Sequence, residues 1–238
     1  MELEEMIVKR KSVRKYGMNP LSEDVLRLLG DSVKKTESPF GGKFGFRIIG
    51  KSEYDAVTGG RFKIAAPHYL MFYGSGTDDV LRSIGFAGEL AALRLAEMDI
   101  GTCWLGGATS KDKLDGEDYV ICIAFGEPAE EFRKAASEAK RKKLGDIAEG
   151  YSAEQTALLE NVRLAPSAVN LQPWYFKCEG NRIHVFRRRT LISGIAHLKT
   201  MQKIDIGIAV SHFPPQSFTV EYVTQKRKGC DYECTLVF

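Results

Sequence analysis

The 238-residue sequence has no apolar run approaching the roughly 20 residues that cross a membrane, so no membrane partner is expected. Its first residues, MELEEMIVKR, lack the apolar core of a signal peptide, and a cytoplasmic location is the expectation. An excess of charge of one sign is lacking. The net charge is +3, with basic residues clustered only at 140–143 and 187–189, the latter read as solvated surface, so no nucleic-acid partner is expected. The five cysteines, Cys103, Cys122, Cys178, Cys230 and Cys234, include no CxxC and no metal-type quartet, and read as buried free thiols in a reducing compartment. The four histidines are scattered, and none sits in HExxH or beside GxSxG, so a metal site and Ser–His hydrolysis lack support. No GxGxxG follows the first strand, which argues against a Rossmann site. What remains is 44% hydrophobic and 27% charged, an ordinary globular composition for one large or two small domains.

An internal repeat organises the chain. SEDVLRLL begins at Ser22 and SAEQTALL at Ser152, an offset of 152 − 22 = 130. Each opens with a serine in N-cap position and acidic residues in the first turn. FGFRIIG ends at Gly50 and WYFKCEG at Gly180, again 130 apart, while IGFA at Ile84 and IGIA at Ile206 are 122 apart. The pattern predicts helices over 2–8, 22–36, 83–101, 110–114 and 130–143, and strands over 44–49, 69–73 and 118–126. The strand at 118–126 is apolar throughout and is placed at the centre of a sheet. Gly85, Gly88, Ala92 and Ala96 form one small-residue stripe, and Gly207 with Ser211 a shorter one. The two helices are expected to pack at the molecular centre, the second stopping at Pro214-Pro215. Two C-terminal strands make a partly exposed hairpin. Mixed elements in this order give an α+β fold. The expected domains are 1–139 and 140–238.

RKSVR leaves the first helix with Arg10, Ser12 and Arg14 alternating, so an extended segment puts two cations and a hydroxyl on one face. Such a set suits one anion, at about 1.5–3 kcal/mol for each charge-assisted bond. APSAVNLQPWYF reads as a loop offering polar groups and backbone amides to a flat ligand. Trp174 and Phe176, at i and i+2 of a strand, are expected to anchor it in the core.

Four stretches carry a family resemblance. RKSVRKY resembles the N-terminal signature of the nitroreductase family, and SIGFAGELAALRLAEMDIGTCWLGG its central helix and following turn. AFGEPAEE resembles the family's GYPAE strand end, and APSAVNLQPWYF is very similar to its APSxxNxQPWxF loop. The usual order is altered: the slot between signature and central helix holds KKTESPFGGKF, and the loop stands in the second half, which has no RxSxR. Ordinary members are tight dimers with flavin mononucleotide (FMN) at the interface. The resemblance implies a nitroreductase-like fold, internally duplicated so that one chain mimics that homodimer, with one FMN at the junction of the halves.

It also implies roles. Arg10, Lys11, Ser12, Arg14 and Arg141 meet the cofactor, chiefly its phosphate. Trp104, Leu105, Gly106 and Gly107 lie along the ring, with a backbone N–H, by position that of Gly106, facing flavin N5. Pro166, Ser167, Ala168 and Asn170 cover it from the other half, and Gln172 joins them or supports the loop from behind. No side chain is expected to be catalytic, because the cofactor does the hydride chemistry. The implied activity is ping-pong NAD(P)H oxidation, with NADH or NADPH as donor and a nitroaromatic, quinone or similar small molecule as acceptor. One chain suffices for the site, and further dimerisation stays open. The alternatives are a flavin enzyme with one dedicated substrate, its lid at 52–63 or 189–199, and a degenerate, non-catalytic flavin-binding or structural protein.

Overall fold

A computed structural model describes residues 2–60, 64–189 and 196–238. Five strands form the first sheet: β1 (Gly45–Gly50), β3 (His68–Tyr73), β7 (Glu117–Gly126) and β4 (Gly101–Trp104) in that order, with β6 (Lys113–Leu114) beside β7. All its pairings are antiparallel, and β7 lies between β3 and β4 as its apolar run predicts. The second sheet has the order β11 (Thr219–Glu221), β12 (Cys230–Val237), β10 (Arg182–Arg188), β9 (Trp174–Glu179), β8 (Ala148–Glu149), with only β8–β9 parallel. β2 (Thr58–Gly60) and β5 (Ala108–Ser110) pair separately. Antiparallel sheets with helices between them make the fold α+β. Trp174 and Phe176 are fully buried, as their spacing predicts.

Two helices, α4 (Asp78–Glu97) and α7 (Ala196–Val210), cross at the centre. They are buried on most faces, with a few buried polar side chains such as Glu89 on α4 and Asp205 on α7 among the apolar ones. Two glycines set how closely they approach. A Cβ on Gly85 would overlap the carbonyl oxygen of Ile204, and one on Gly207 would overlap that of Arg82. The two contacts repeat with the helices exchanged, since 204 − 82 and 207 − 85 are both 122. Gly88 serves another purpose: a Cβ there would strike the Trp104 ring.

The other helices are α1 (Leu3–Lys9), α2 (Glu23–Lys35), α3 (Lys51–Val57), α5 (Leu144–Ile147) and α6 (Ala153–Arg163). Ser22 caps α2 by accepting from Val25 N at 3.4 Å, and Ser152 caps α6 by accepting from Gln155 N at 3.3 Å.

Several expectations need correction. Residues 130–143 do not form a helix; they cross the molecule as a strap with one 3-10 turn, Ala136–Glu138. Some of their amides are drawn to other segments, Arg133 N–H donating to Lys9 O and Lys142 N–H to Gln172 Oε1. Tertiary bonds of this kind override a weak helical propensity. The helix placed at 110–114 is instead parts of β5 and β6, and Asp115-Gly116, both left-handed, turn β6 into β7. α4 starts five residues before Ser83 and ends before Asp99, a left-handed residue. α7 ends at Val210, ahead of the two prolines. Of the stretches proposed as lids, 61–63 and 190–195 lie outside the described residues. Residues 51–60 form α3 and β2, pinned by Tyr54 stacked on Tyr69 at 3.5 Å between centroids.

Candidate functional site

The segment after α1 runs extended along β4, with Val13 N–H donating to Thr102 O at 2.9 Å. Val13 is buried against Gly101, and the alternation sends residues 10, 12 and 14 to the opposite side. That side faces a cleft of about 880 Å³, within the roughly 300–1,000 Å³ usual for small-molecule and cofactor sites. One wall carries Arg10, Lys11, Ser12 and Arg14. Trp104, Gly106 and Gly107, following β4, lie on the same cleft. The strap contributes Glu130, Arg133, Lys140 and Arg141, and the loop before β9 contributes Pro166, Ser167, Ala168, Val169 and Asn170. α7 adds an apolar face of Met201, Ile204 and Ile208, with Asp205 among them. A shallower depression of about 680 Å³ beside α1 contains none of the residues given cofactor roles from the sequence.

Twelve of the fourteen residues given cofactor roles from the sequence therefore line one cleft. Leu105 does not: it is buried behind β4, its N–H donating to Cys122 O. Gln172 does not either. Its Oε1 accepts from Lys142 N at 2.8 Å and its Nε2 donates to Asn170 O at 3.1 Å, so it braces the loop from behind.

The loop is held under strain. Val169, Asn170 and Gln172 have φ of 47°, 56° and 49°, three of the five left-handed non-glycine residues among the described residues. Each such residue costs on the order of 1–3 kcal/mol unless its surroundings impose it, and a β-branched valine there is a genuine outlier. Arg141 supplies much of the constraint. It donates to Ala165 O (3.0 Å), Leu164 O (3.2 Å), Lys140 O (3.1 Å) and Asn170 Oδ1 (2.9 Å). Asn170 Nδ2 donates back to Lys140 O at 2.9 Å. Ser167 Oγ accepts from Gln172 N at 2.8 Å, and Asp205 Oδ1 accepts from Ala168 N at 3.0 Å. The side chains of Arg141 and Asn170 thus bind chain to chain rather than stand open to the cleft.

The cations differ in their freedom. Lys11 Nζ pairs with Glu130 Oε2 at 3.1 Å, and Glu130 Oε1 accepts from Arg14 N at 2.7 Å. Arg14 is exposed. Arg133 caps α1 by donating to the carbonyls of Ile7, Val8 and Arg10. Burial, and then the Arg10 charge, push both Arg133 and Arg141 down to about 10. Arg10 is 1% exposed and lies 3.2 Å from Glu89 Oε1. Its Nε–H is not aimed along that line, so Nε and Nη2 are buried without an acceptor.

Glu89, wholly buried on α4, ties this wall to the next. Its Oε2 accepts from Trp104 Nε1 at 2.8 Å, and its Oε1 lies 3.3 Å from His212 Nε2. His212 Nδ1 meets Asn161 O at 3.0 Å. Both ring nitrogens therefore lie beside oxygen atoms. Burial alone would raise the Glu89 pKa; Arg10, His212 and Trp104 outweigh it and hold the group below its usual value. Asp205 has no such partners. Burial pushes its carboxyl up to about 8 against the Ala168 N–H bond, and its Oδ2 has no hydrogen-bond partner. Sequence reasoning missed both acids. Each was visible as a lone carboxylate in an otherwise apolar helical stretch, GFAGELAAL and IDIGIAV.

Two central helices, two antiparallel sheets and a cationic cleft walled by both define a nitroreductase-like α+β protein. The family described as "Putative TM nitroreductase" matches residues 2–217, and the chain belongs to it. Among solved structures, a Thermotoga maritima protein described as a "putative nitroreductase" is 23% identical at a TM-score of 0.67, covering 100% of this chain and 94% of that one. A nitroreductase family protein of Clostridium difficile 630 is 14% identical at 0.51, covering 65% and 99%. A Desulfovibrio desulfuricans "putative nitroreductase" in complex with FMN is 16% identical at 0.50, covering 63% and 96%. No curated protein matches the sequence.

Proposed function

We propose that the cleft binds one FMN per chain and that the protein is an FMN-dependent NAD(P)H oxidoreductase passing electrons to nitroaromatic, quinone or similar acceptors. The observation that carries this reading is the convergence on a single cavity of Arg10, Lys11, Ser12 and Arg14, of Trp104, Gly106 and Gly107, of Lys140 and Arg141, and of residues 166–170. The donor set fits the cofactor. An exposed Arg14, Lys11 and Lys140 suit a dianionic phosphate, and Arg10 keeps buried N–H groups without acceptors. The apolar α7 face, Gly106 and Gly107 suit a flat ring, with glycine allowing close approach.

When bound, the flavin supplies the hydride chemistry, which no side chain here provides. The chain's part is to bind, orient and shield. Arg14, Lys11 and Lys140 neutralise the anion. Glu89 fixes Arg10 on one wall and the Trp104 ring on the next. The braced loop, with Pro166 to Asn170, covers the cleft, and Met201, Ile204 and Ile208 exclude water from it. One shared space for donor and acceptor implies ping-pong kinetics. A cytoplasmic location is part of this reading, and five free cysteines agree with it.

The cleft also supports a duplicated architecture. Subtracting 122 carries Ile204, Asp205 and Ile208 on α7 to Arg82, Ser83 and Phe86 on α4. There the corresponding space is filled: Arg82 pairs with Glu233 at 2.7 Å, and Phe86 packs on Phe40 at 6.4 Å between centroids. One usable site per chain follows.

The test is reconstitution with FMN followed by anaerobic NADH or NADPH. The expected result is a yellow protein bleached by at least one nicotinamide and reoxidised by an acceptor. Arg14→Ala is expected to weaken FMN binding about tenfold or more, from about 1.5–3 kcal/mol per charge-assisted bond. Failure to bind FMN sinks the proposal, and a yellow protein that neither nicotinamide bleaches points to a binding role.

A further inference from the structure

We propose that Asp205 is a direct contact for the flavin, its carboxyl O–H donating a hydrogen bond to an acceptor atom of the bound ring system. This inference rests on the FMN reading above. Asp205 lines the cleft from α7, between Met201 and Ile208. It is 3% exposed, and its two oxygens have different fates. Oδ1 accepts from Ala168 N and so holds the covering loop; Oδ2 is buried with no partner.

Holding the loop needs only one oxygen. At the filled counterpart, Ser83 Oγ does the same for its own loop, accepting from Gly42 N at 3.1 Å. The open site therefore carries one oxygen more than the closed one needs. A buried carboxylate oxygen with no partner is costly, and the group answers by keeping its proton. A neutral carboxyl is a donor, and ring carbonyls and imine nitrogens of a flavin are acceptors.

The charged neighbours do not supply that partner. On α7 the nearest cation, Lys203, is turned to Glu233 and Asp78. Across the cleft stand Arg10, Lys11 and Arg14, and on the strap Glu130, Arg133, Glu138, Lys140 and Arg141. None of these sets the ionisation of Asp205, which burial raises and the Ala168 amide lowers. Of the other cleft groups, burial pushes the Cys103 thiol up, and Arg133 and Arg141 are lowered by burial to about 10.

The experiment measures FMN affinity of the full chain by fluorescence quenching from pH 6.5 to 9.5, with proton uptake read by calorimetry in two buffers. Since bound FMN holds the Asp205 proton, the wild-type dissociation constant is expected to rise about tenfold per pH unit above about 8, with one proton taken up on binding. Asp205→Asn keeps an acceptor for Ala168 N and an N–H donor for the ligand. It should bind FMN within about threefold of wild type at pH 7 and lose the excess slope. It shares every other titration of protein and ligand, so the difference isolates Asp205. Asp205→Ser keeps only the loop contact, as Ser83 does, and should bind about tenfold more weakly at pH 7. A wild type that binds FMN with the same slope as Asp205→Asn, or an Asp205→Ser variant of unchanged affinity, overturns the inference and leaves the flavin reading standing. A wild type that binds no FMN at any pH overturns both.

Discussion

Glu89 holds three groups at the cleft wall together. It is fully buried and faces two potential cations, Arg10 and His212, with the Trp104 indole on its other oxygen. Replacing one member of a buried ion cluster leaves the others uncompensated, at about 3–5 kcal/mol. Glu89→Gln keeps the volume and removes the charge, and is expected to lose stability of that order in urea unfolding at pH 7. The sign with pH follows from the lowered carboxyl. The stabilisation is fully present above the ordinary glutamate value of 4.5 and is lost as pH falls through the lower folded value. The wild type and Glu89→Gln should therefore converge only in strong acid.

At this scale some side chains could be read from the sequence and some could not. The alternation of Arg10, Ser12 and Arg14 was legible because an extended segment has period two. Arg187 was not. Within an arginine run it reads as solvated surface, yet it is 3% exposed and bonded to Glu233 at 2.9 Å, Asp231 at 2.6 Å and Gln202 at 3.0 Å. Its partners lie 15 to 46 residues away, beyond any local pattern.

Among elements, the α4–α7 crossing has the narrowest tolerance. Gly207→Ala puts a methyl group into the Arg82 carbonyl oxygen, and relief requires the helices to separate. Gly145→Ala, in the short α5, meets nothing within 4 Å. Overpacking costs about 1–3 kcal/mol or more. The expected outcome is a clear fall in melting temperature and loss of FMN binding for Gly207→Ala, with Gly145→Ala near wild type in both. The small-residue spacing made this crossing legible, and capping serines marked α2 and α6. The strap at 130–143 was illegible because its conformation is decided by the Lys9 and Arg10 carbonyls that Arg133 meets, not by its own periodicity. β10 escaped notice because RIHVFRR interleaves charge with apolar residues, and only the packing of Ile183, Val185 and Phe186 inside the second sheet explains it.

For the whole molecule, the proposed architecture fixes a stoichiometry. One open cleft and one filled counterpart mean one FMN per chain, whatever the assembly state. Titration should saturate at one equivalent, and the ratio should hold on dilution under light scattering. Saturation at a half or at two equivalents contradicts the arrangement. The sequence carried this scale best. Segments more than 150 residues apart, such as Arg14 and Asn170, line one cavity because each keeps a recognisable motif.

The paired glycines at the crossing have a further consequence on the proposed duplication. Two identical subunits must accept every substitution twice, once on each side of their dyad, so neither pocket can change without its twin. Joined in one polypeptide, the sides are free to part company. Arg82 could become a plug while Ile204 stayed a wall, and Ser83 could keep a hydroxyl where Asp205 holds an acid. On that proposal the tight axis between them is the part held fixed, with specialisation outward from it.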